Sequence, residues 1–351
     1  MTNAADITSW MNGLTRWRES QRRINIMALH DIASDMFSEN ANIHMCYPFG
    51  DQHGASAWIN SSYHALVTAI PDAERRDTIV INGQDQQGNS WVGCCGYYCG
   101  TFIAPFLDIP PTGQFVHMRY HEFYRITPNG IEEAHVIWDI VEVMKQANAW
   151  PMAPSLGREG LVPAPATLDG IKPMNSEQSG DDNLEIVIRM LNNLGQHPSQ
   201  GGPDVMRLPE AWHEDLTWYG PSGIGTCRGL SGFRQWHQIP FLNAMPDRGL
   251  DNENITLHFF AQENYVAVTG WPNMIQTLSA DGWLGIAPTN QKITLRSLDF
   301  WRIEDKKIKE NWVLIDLLDI YAQLGVDVFA RLKAFNTSRP TGSVVLPKER
   351  L

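Results

Sequence analysis

No stretch of this chain approaches the ~20 consecutive apolar residues that a membrane-crossing helix requires. Its start, MTNAADITSW, has neither a basic opening nor an apolar core. Neither a membrane partner nor an export signal is expected, and the default address is cytoplasmic. Positive charge is in deficit: 27 Lys and Arg against 39 Asp and Glu leave a formal charge of −12. Such a surface repels phosphate backbones and anionic lipids, which argues against nucleic acid as a partner. Cysteines are few and odd in number, five in all, and the run Cys94, Cys95, Cys99 matches no zinc or redox spacing. They read as reduced, buried thiols, because a nucleophilic Cys95 or Cys99 would need a paired His and a lowered pKa. No Gly-x-Ser-x-Gly elbow is present, which argues against an α/β-hydrolase. The glycines between Gly220 and Gly225 lack the strand before, the helix after and the Lys-Ser/Thr of a phosphate loop.

What is abundant is packing material. Apolar residues make up 43% of the 351, with 13 Trp among them, enough for packed cores in a chain of two-domain length. An internal repeat gives that length a structure. Residues 87–146 align without a gap to 264–323 at a constant offset of 177. Identities such as Gly93/Gly270, Leu107/Leu284, Arg119/Arg296, Phe123/Phe300, Glu133/Glu310, Asp139/Asp316 and Gln146/Gln323 run along the whole stretch. Upstream the offset becomes 175, where Gly54 meets Gly229, Trp58 meets Phe233, and Pro71-Asp72 meets Pro246-Asp247. A period this long is a duplicated domain, not a solenoid unit. We expect domain one over 1–149, a Pro/Gly-rich linker over 150–182, domain two over 183–336 and an irregular tail over 337–351. The fused copies should pack like a homodimer, and further self-association is left open.

Each copy begins helical, over Ser9–Ala33 and Leu184–Leu194, with second helices at Ala57–Ala69 and Gly232–Ala244. Strand-like segments follow: Thr78–Ile81, Ser90–Cys99, Val116–Ile126 and Ile131–Val143 in copy one. Copy two supplies Ile255–Gln262, Tyr265–Trp271, Lys292–Ile303 and Lys307–Ile320. Helices followed by an antiparallel meander predict an α+β fold, two cone-shaped domains whose helices cover a curved sheet that encloses a pocket.

Three stretches carry a resemblance: Trp218-Tyr219-Gly220-Pro221 through Gly229, Phe233 through Asp247, and the hairpin Leu298–Ile303 to Ile308–Asp316. In them, and more weakly in Tyr47–Gly50, Ala69–Asp72 and Ile131–Asp139, the chain resembles the SnoaL-like polyketide cyclases of the nuclear transport factor 2-like superfamily. The resemblance implies an intramolecular aldol cyclisation of a hydrophobic, polyketide-like carbonyl substrate. It also implies side-chain acid/base chemistry without cofactor or metal, from a His and a carboxylate on neighbouring strands. Dehydratase, isomerase, epoxide-hydrolase and pure small-ligand-binding roles share the fold.

Period-two alternation groups Glu133, His135, Ile137 and Asp139 on one face, and Glu310, Trp312, Leu314 and Asp316 on its counterpart. Asp139 and Asp316 are therefore the leading candidate carboxylates, on the expectation that these faces line the pockets. His121 is expected roughly opposite His135 across the hairpin of copy one if the turn is centred on Pro128-Asn129, and both could work with Asp139. In copy two Leu298 and Trp312 take their places, so a second candidate centre there combines His237, Asp299 and Asp316. Tyr47, Glu133, Trp138, Tyr219, Trp283, Trp301 and Trp312 are the candidate substrate-binding residues. No spacing matches a metal-ligand pattern, so none is expected.

Overall fold

A computed structural model describes residues 4–174, 180–249, 253 and 255–337. Of the expected tail, residues 338–351 lie outside the described residues, as do 175–179 of the linker, and Thr337 ends the helix Val328–Thr337. Copy one opens with helices Ala4–Ser20 and Ile26–Met36, the second capped by Asn25, whose side chain accepts from the Ala28 N–H. The single helix expected over Ser9–Ala33 is thus broken by a 3-10 turn at Gln21–Arg23. Strands β1 (Phe37–Met45) and β2 (Asp51–His53) come next, then a helical segment over 55–69 with a π turn at Ile59–Tyr63. Strands β3 (Glu74–Gln84), β4 (Ser90–Thr101), β5 (Phe115–Thr127) and β6 (Gly130–Trp138) complete a six-stranded sheet ordered β2-β1-β6-β5-β4-β3. Its one parallel pairing joins β1 to β6.

Copy two repeats this plan with helix Asp181–Leu194, β7 (Trp212–Tyr219), β8 (Thr226–Arg228), a helical segment over 229–244, and β9 (His258–Gln262). β10 (Tyr265–Thr269), β11 (Met274–Leu278), β12 (Gln291–Leu295), β13 (Ser297–Glu304) and β14 (Lys307–Ile315) follow. The main sheet is ordered β8-β7-β14-β13-β10-β9, again six strands, and β11-β12 form a separate pair. The duplication extends to detail. Leu107 and Leu284 both adopt positive φ at matched turns, and Gln146 and Gln323 each brace the backbone of matched residues, His117 and Thr294.

One difference between the copies shapes everything that follows. Where copy one runs β4 unbroken against β5 over 90–101, copy two meets Trp271-Pro272 and the strand stops. Proline has no N–H for the ladder, and the register slips between Val268↔Asp299 and Met274↔Leu295. The Asn273 side chain fills the gap, donating to the Ser297 carbonyl at 2.7 Å and accepting the Ser297 N–H at 2.9 Å. The sheet of copy two is thereby split, with β11 and β12 forming a pair of their own.

The two sheets pack back to back. Phe123 meets Phe300 at 5.0 Å and Phe260 at 5.8 Å between ring centroids, and His121 Nδ1 donates to the Leu298 carbonyl at 2.6 Å. Both faces of each sheet are therefore covered, and most of β4 is buried. Arg119 crosses the seam to donate to the Tyr219, Gly220 and Val313 carbonyls. The described part of the linker lies along both copies, bridging Val80 to Ile171 and Arg158 to Thr226.

Both final strands end earlier than the pattern predicts, at Trp138 and Ile315, and short helices Ile140–Gln146 and Leu317–Gln323 follow. Asp139 and Asp316 are the N-caps of these helices, accepting from the Glu142 and Asp319 N–H groups. Among the described residues no helix is long and apolar enough to cross a membrane.

Candidate functional site

In copy two the inward faces of the split sheet and the helices over it enclose a cavity of about 660 Å³. Ser297, Asp299 and Trp301 face it from β13, and Asn311, Val313 and Ile315 face it from β14. The helical segment over 229–244 adds Phe233, His237, Gln238 and Phe241, and β7 adds Trp212 and Trp218. The walls are mainly aromatic and aliphatic, with a few polar groups set into them, as in small-molecule sites generally.

Asp299 is the only carboxylate among the described lining residues. Burial pushes its pKa up to about 7, opposed only by a hydrogen bond from the Ser297 hydroxyl. Among the described residues no cation offsets the desolvation, so near neutrality this carboxyl can both take and return a proton. His237 stacks on Trp218 with centroids 4.0 Å apart. Burial, with the nearby Arg248, lowers its pKa to about 3, so at neutral pH the ring is an uncharged hydrogen-bonding group. Among the described residues its Nδ1 has no partner, nor have Gln238 Nε2, Gln276 Oε1 or Trp301 Nε1, all on lining residues. Buried polar atoms left unpaired are costly, and such atoms around a cavity are suited to meeting a ligand's own polar groups.

Copy one shows what the same position becomes when the interior is closed. Glu122 occupies the site matched to Asp299 by the offset of 177 and is wholly buried. Four donors surround it: Arg75 Nη1 at 2.5 Å, Tyr124 Oη at 2.7 Å, Tyr98 Oη at 3.0 Å and Trp138 Nε1 at 3.1 Å. Trp17, Trp58, Tyr63 and Tyr120 fill the remaining space. This acid is paired and saturated, whereas its counterpart in copy two has one donor and a cavity in front of it.

The structure brings together His237, Asp299 and Trp301 from the candidates read in the sequence and places the others elsewhere. The expected alternation is present with the opposite facing: Ala134, Val136 and Trp138 point into copy one, whereas Glu133 and His135 point toward the second copy. His135 Nδ1 lies 2.6 Å from Thr269 Oγ1 of that copy. His121 likewise lies in the seam, its pKa lowered well below the usual value by burial and by Arg119. Asp139 and Asp316 are reciprocal latches across the same seam. The Ser222 N–H donates to Asp139 and the Tyr47 N–H to Asp316, each at 2.9 Å. Burial raises Asp139 to about 6 and Asp316 to about 7, yet their oxygens are occupied by backbone N–H groups of their own helix and of the other copy. Trp138 serves Glu122, and Tyr219 donates to Glu310 while stacking on Trp312. Trp312 in turn donates to the Pro163 carbonyl of the linker, and Trp283 packs edge-on against Phe241. The thiols are buried, and burial raises Cys94 and Cys95 to about 12 and Cys99 to about 11.

Sequence reading missed Trp218, Gln238, Asn273, Gln276 and Ser297 as cavity residues. A signal for the central acid was available, since both copies carry an acid at the positions of Glu122 and Asp299.

The profile of the family described as SnoaL-like polyketide cyclase matches residues 21–147 and 201–324, more than half of the chain in two separate blocks. Among solved structures, IdmH from Streptomyces antibioticus is similar at 18% identity and a TM-score of 0.33, covering 40% of this chain and 98% of its own. A SnoaL-like polyketide cyclase from Agrobacterium tumefaciens is similar at 18% identity and a TM-score of 0.30, covering 39% and 96%. TsrD from Streptomyces laurentii is similar at 10% identity and a TM-score of 0.32, covering 42% and 98%. Among curated protein sequences none matches this chain.

Proposed function

For a chain that belongs to the SnoaL-like polyketide cyclase family through two fused copies of its domain, we propose that copy two alone is catalytic and that Asp299 is its acid/base group. The observation that carries this reading is a lone carboxylate of near-neutral pKa on the wall of a largely apolar 660 Å³ cavity. The substrate is a hydrophobic compound bearing several carbonyls. Ionised Asp299 removes a proton from a carbon next to a carbonyl, and Gln238 Nε2 and Trp301 Nε1 are donors available to the oxygen where enolate charge develops. The enolate carbon then attacks a second carbonyl of the same molecule. The new alkoxide takes the proton back from Asp299, so one residue serves both halves and nothing is consumed. Trp218 with its stacked His237, and Trp301, offer flat faces to a flat substrate.

Copy one is proposed as a brace. Its interior acid is saturated, and Asp139 and Asp316 hold the seam between copies.

The test is turnover of a panel of poly-β-ketone intermediates, with products identified by mass and ring pattern. Asp299→Asn is expected to lose about 10²–10⁴-fold in kcat, while Asp139→Asn keeps kcat per folded molecule. Equal turnover by wild type and Asp299→Asn would remove Asp299 from the chemistry. Products of dehydration or double-bond migration would assign the same base to a lyase or isomerase.

A further inference from the structure

The seam between the copies holds a second chemical cluster that none of the preceding roles uses. On the face of copy one turned toward copy two, the register aligns Asp51 of β2 with His44 of β1, and His44 with His135 of β6. Glu133, two residues before His135, shares its face. His44 Nε2, Glu133 and His135 offer ligand atoms all within 4.8 Å of one another. Glu133 Oε1 lies 3.0 Å from His135 Nε2 and 3.9 Å from His44 Nε2. Ligands about 2.1 Å from a tetrahedral ion stand about 3.4 Å apart, so this triangle brackets the required spacing.

The outer ring nitrogens are held as a metal site needs. His44 Nδ1 lies 3.0 Å from Asp51 Oδ1, a carboxylate that can only accept, so that nitrogen carries the proton and Nε2 presents a lone pair. Without an ion His135 Nε2 donates to Glu133 Oε1 at 3.0 Å; its Nδ1 lies 2.6 Å from the Thr269 hydroxyl, which can donate or accept, so the ring proton can move to Nδ1 and leave Nε2 free for an ion. Arg125 takes the other oxygen of Glu133 at 2.7 Å, fixing the carboxylate and leaving Oε1 available. That cation also lowers the affinity for a second positive charge.

The duplication supplies an internal control. At the positions matched to Arg125, Glu133, His44 and His135, copy two carries Arg302, Glu310, Tyr219 and Trp312. The Arg–Glu pair is kept, with Arg302 Nε 2.5 Å from Glu310, but its flanking rings are a stacked Tyr219 and Trp312 that seal against the linker. In copy one both rings are imidazoles with their Nε2 atoms turned toward the acid. Trp271 and Trp91 pack on the far sides of the His135 ring, and His44 and Glu133 remain about one-quarter exposed, leaving a way in.

The geometry points to a divalent-cation site of the zinc type, with His44 Nε2, His135 Nε2 and Glu133 Oε1 as ligands and a fourth position open to water. None of the three residues lines the cavity. Because Thr269 backs His135 from the other copy, the ion clamps the seam instead of taking part in the reaction.

The test is titration of chelator-stripped full-length protein with Zn²⁺ by calorimetry and thermal unfolding, and with Co²⁺ by visible absorption. Wild type is expected to take up one ion per chain, gain in Tm, and show Co²⁺ ligand-field bands without thiolate charge transfer. His44→Gln and Glu133→Gln should each weaken binding at least about 100-fold, and Asp51→Asn about tenfold through loss of the group orienting His44. Near-UV circular dichroism confirms folding. Should Glu133→Gln unfold, the His44→Gln variant, at a site about one-quarter exposed, decides alone. No uptake at a tenfold molar excess of Zn²⁺, or uptake by His44→Gln as tight as wild type, overturns the proposal.

Discussion

Replacing Asp299 with Asn should make the protein more stable at alkaline pH, a consequence of the same desolvation that makes this carboxyl a candidate base. In the unfolded chain the group titrates near 3.8, and in the fold burial raises it to about 7. A raised carboxyl pKa means that the folded state holds its proton more tightly than the unfolded one. The penalty is therefore absent below about pH 4, grows as pH rises through the interval, and is complete above about pH 7. A shift of about 3 units corresponds to a ceiling of about 4 kcal/mol at 1.36 kcal/mol per unit. The side chain is partly exposed to the cavity, so we expect about half of that, about 2 kcal/mol. Asn keeps the shape and can still accept from Ser297 but carries no charge to desolvate. Urea unfolding from pH 4.5 to 8.5 should show Asp299→Asn close to wild type at the acid end and about 2 kcal/mol more stable at the alkaline end. Because the raised Asp139 and Asp316 are common to both proteins, their titration cancels in the difference. A constant offset across the range, or a variant that loses stability relative to wild type with rising pH, would refute the reasoning.

Other expectations follow from the same contacts. Asp316→Ala strips a helix cap and leaves the Tyr47 N–H unpaired in the seam, so a loss of about 2–4 kcal/mol is expected in denaturant unfolding, with kcat per folded molecule unchanged. Arg75→Leu leaves Glu122 buried among Tyr98, Tyr124 and Trp138 without its cation, and should cost about 3–5 kcal/mol by the same measurement. Arg119→Lys keeps the charge but not the fork that reaches three carbonyls of copy two, and should cost about 1–3 kcal/mol while narrowing the gap to unfolding of the seam seen by hydrogen exchange. His237→Phe preserves the stack on Trp218 but removes the ring nitrogens, so kcat should fall while Tm stays within a few degrees.

Much of the architecture was readable because duplication writes the same plan twice. Matched residues at a fixed offset located both hairpins and the helix over each sheet. The polarity of the strands was not readable, for a physical reason. Alternation says which residues share a face, but inside and outside can be told apart only when one face is wet. Here the outer face of each sheet is sealed by the other copy, so β4 is buried along most of its length and β6 is mostly buried on both faces. That is why Glu133 and His135 were expected in a pocket and are found in the seam. The caps were partly legible: Asp139-x-x-Glu142 and Asp316-x-x-Asp319 resemble helix-start signatures, and reading them as strand ends extended each final strand too far. The cavity lies in the copy whose strand is split at Pro272, where the missing N–H interrupts a ladder that copy one keeps whole. That interruption becomes visible only when the two registers are laid side by side.

The central claim, that Asp299 removes a proton next to a carbonyl inside copy two, is tested most directly by hydrogen exchange on the small molecule. A β-diketone that fits the cavity but cannot cyclise would be incubated with protein in D₂O, and deuterium uptake at its central carbon followed by NMR against the uncatalysed rate. The account predicts protein-dependent uptake that rises with pD through about 7 and is abolished in Asp299→Asn but kept in Asp139→Asn. Uptake by Asp299→Asn at the wild-type rate would contradict it.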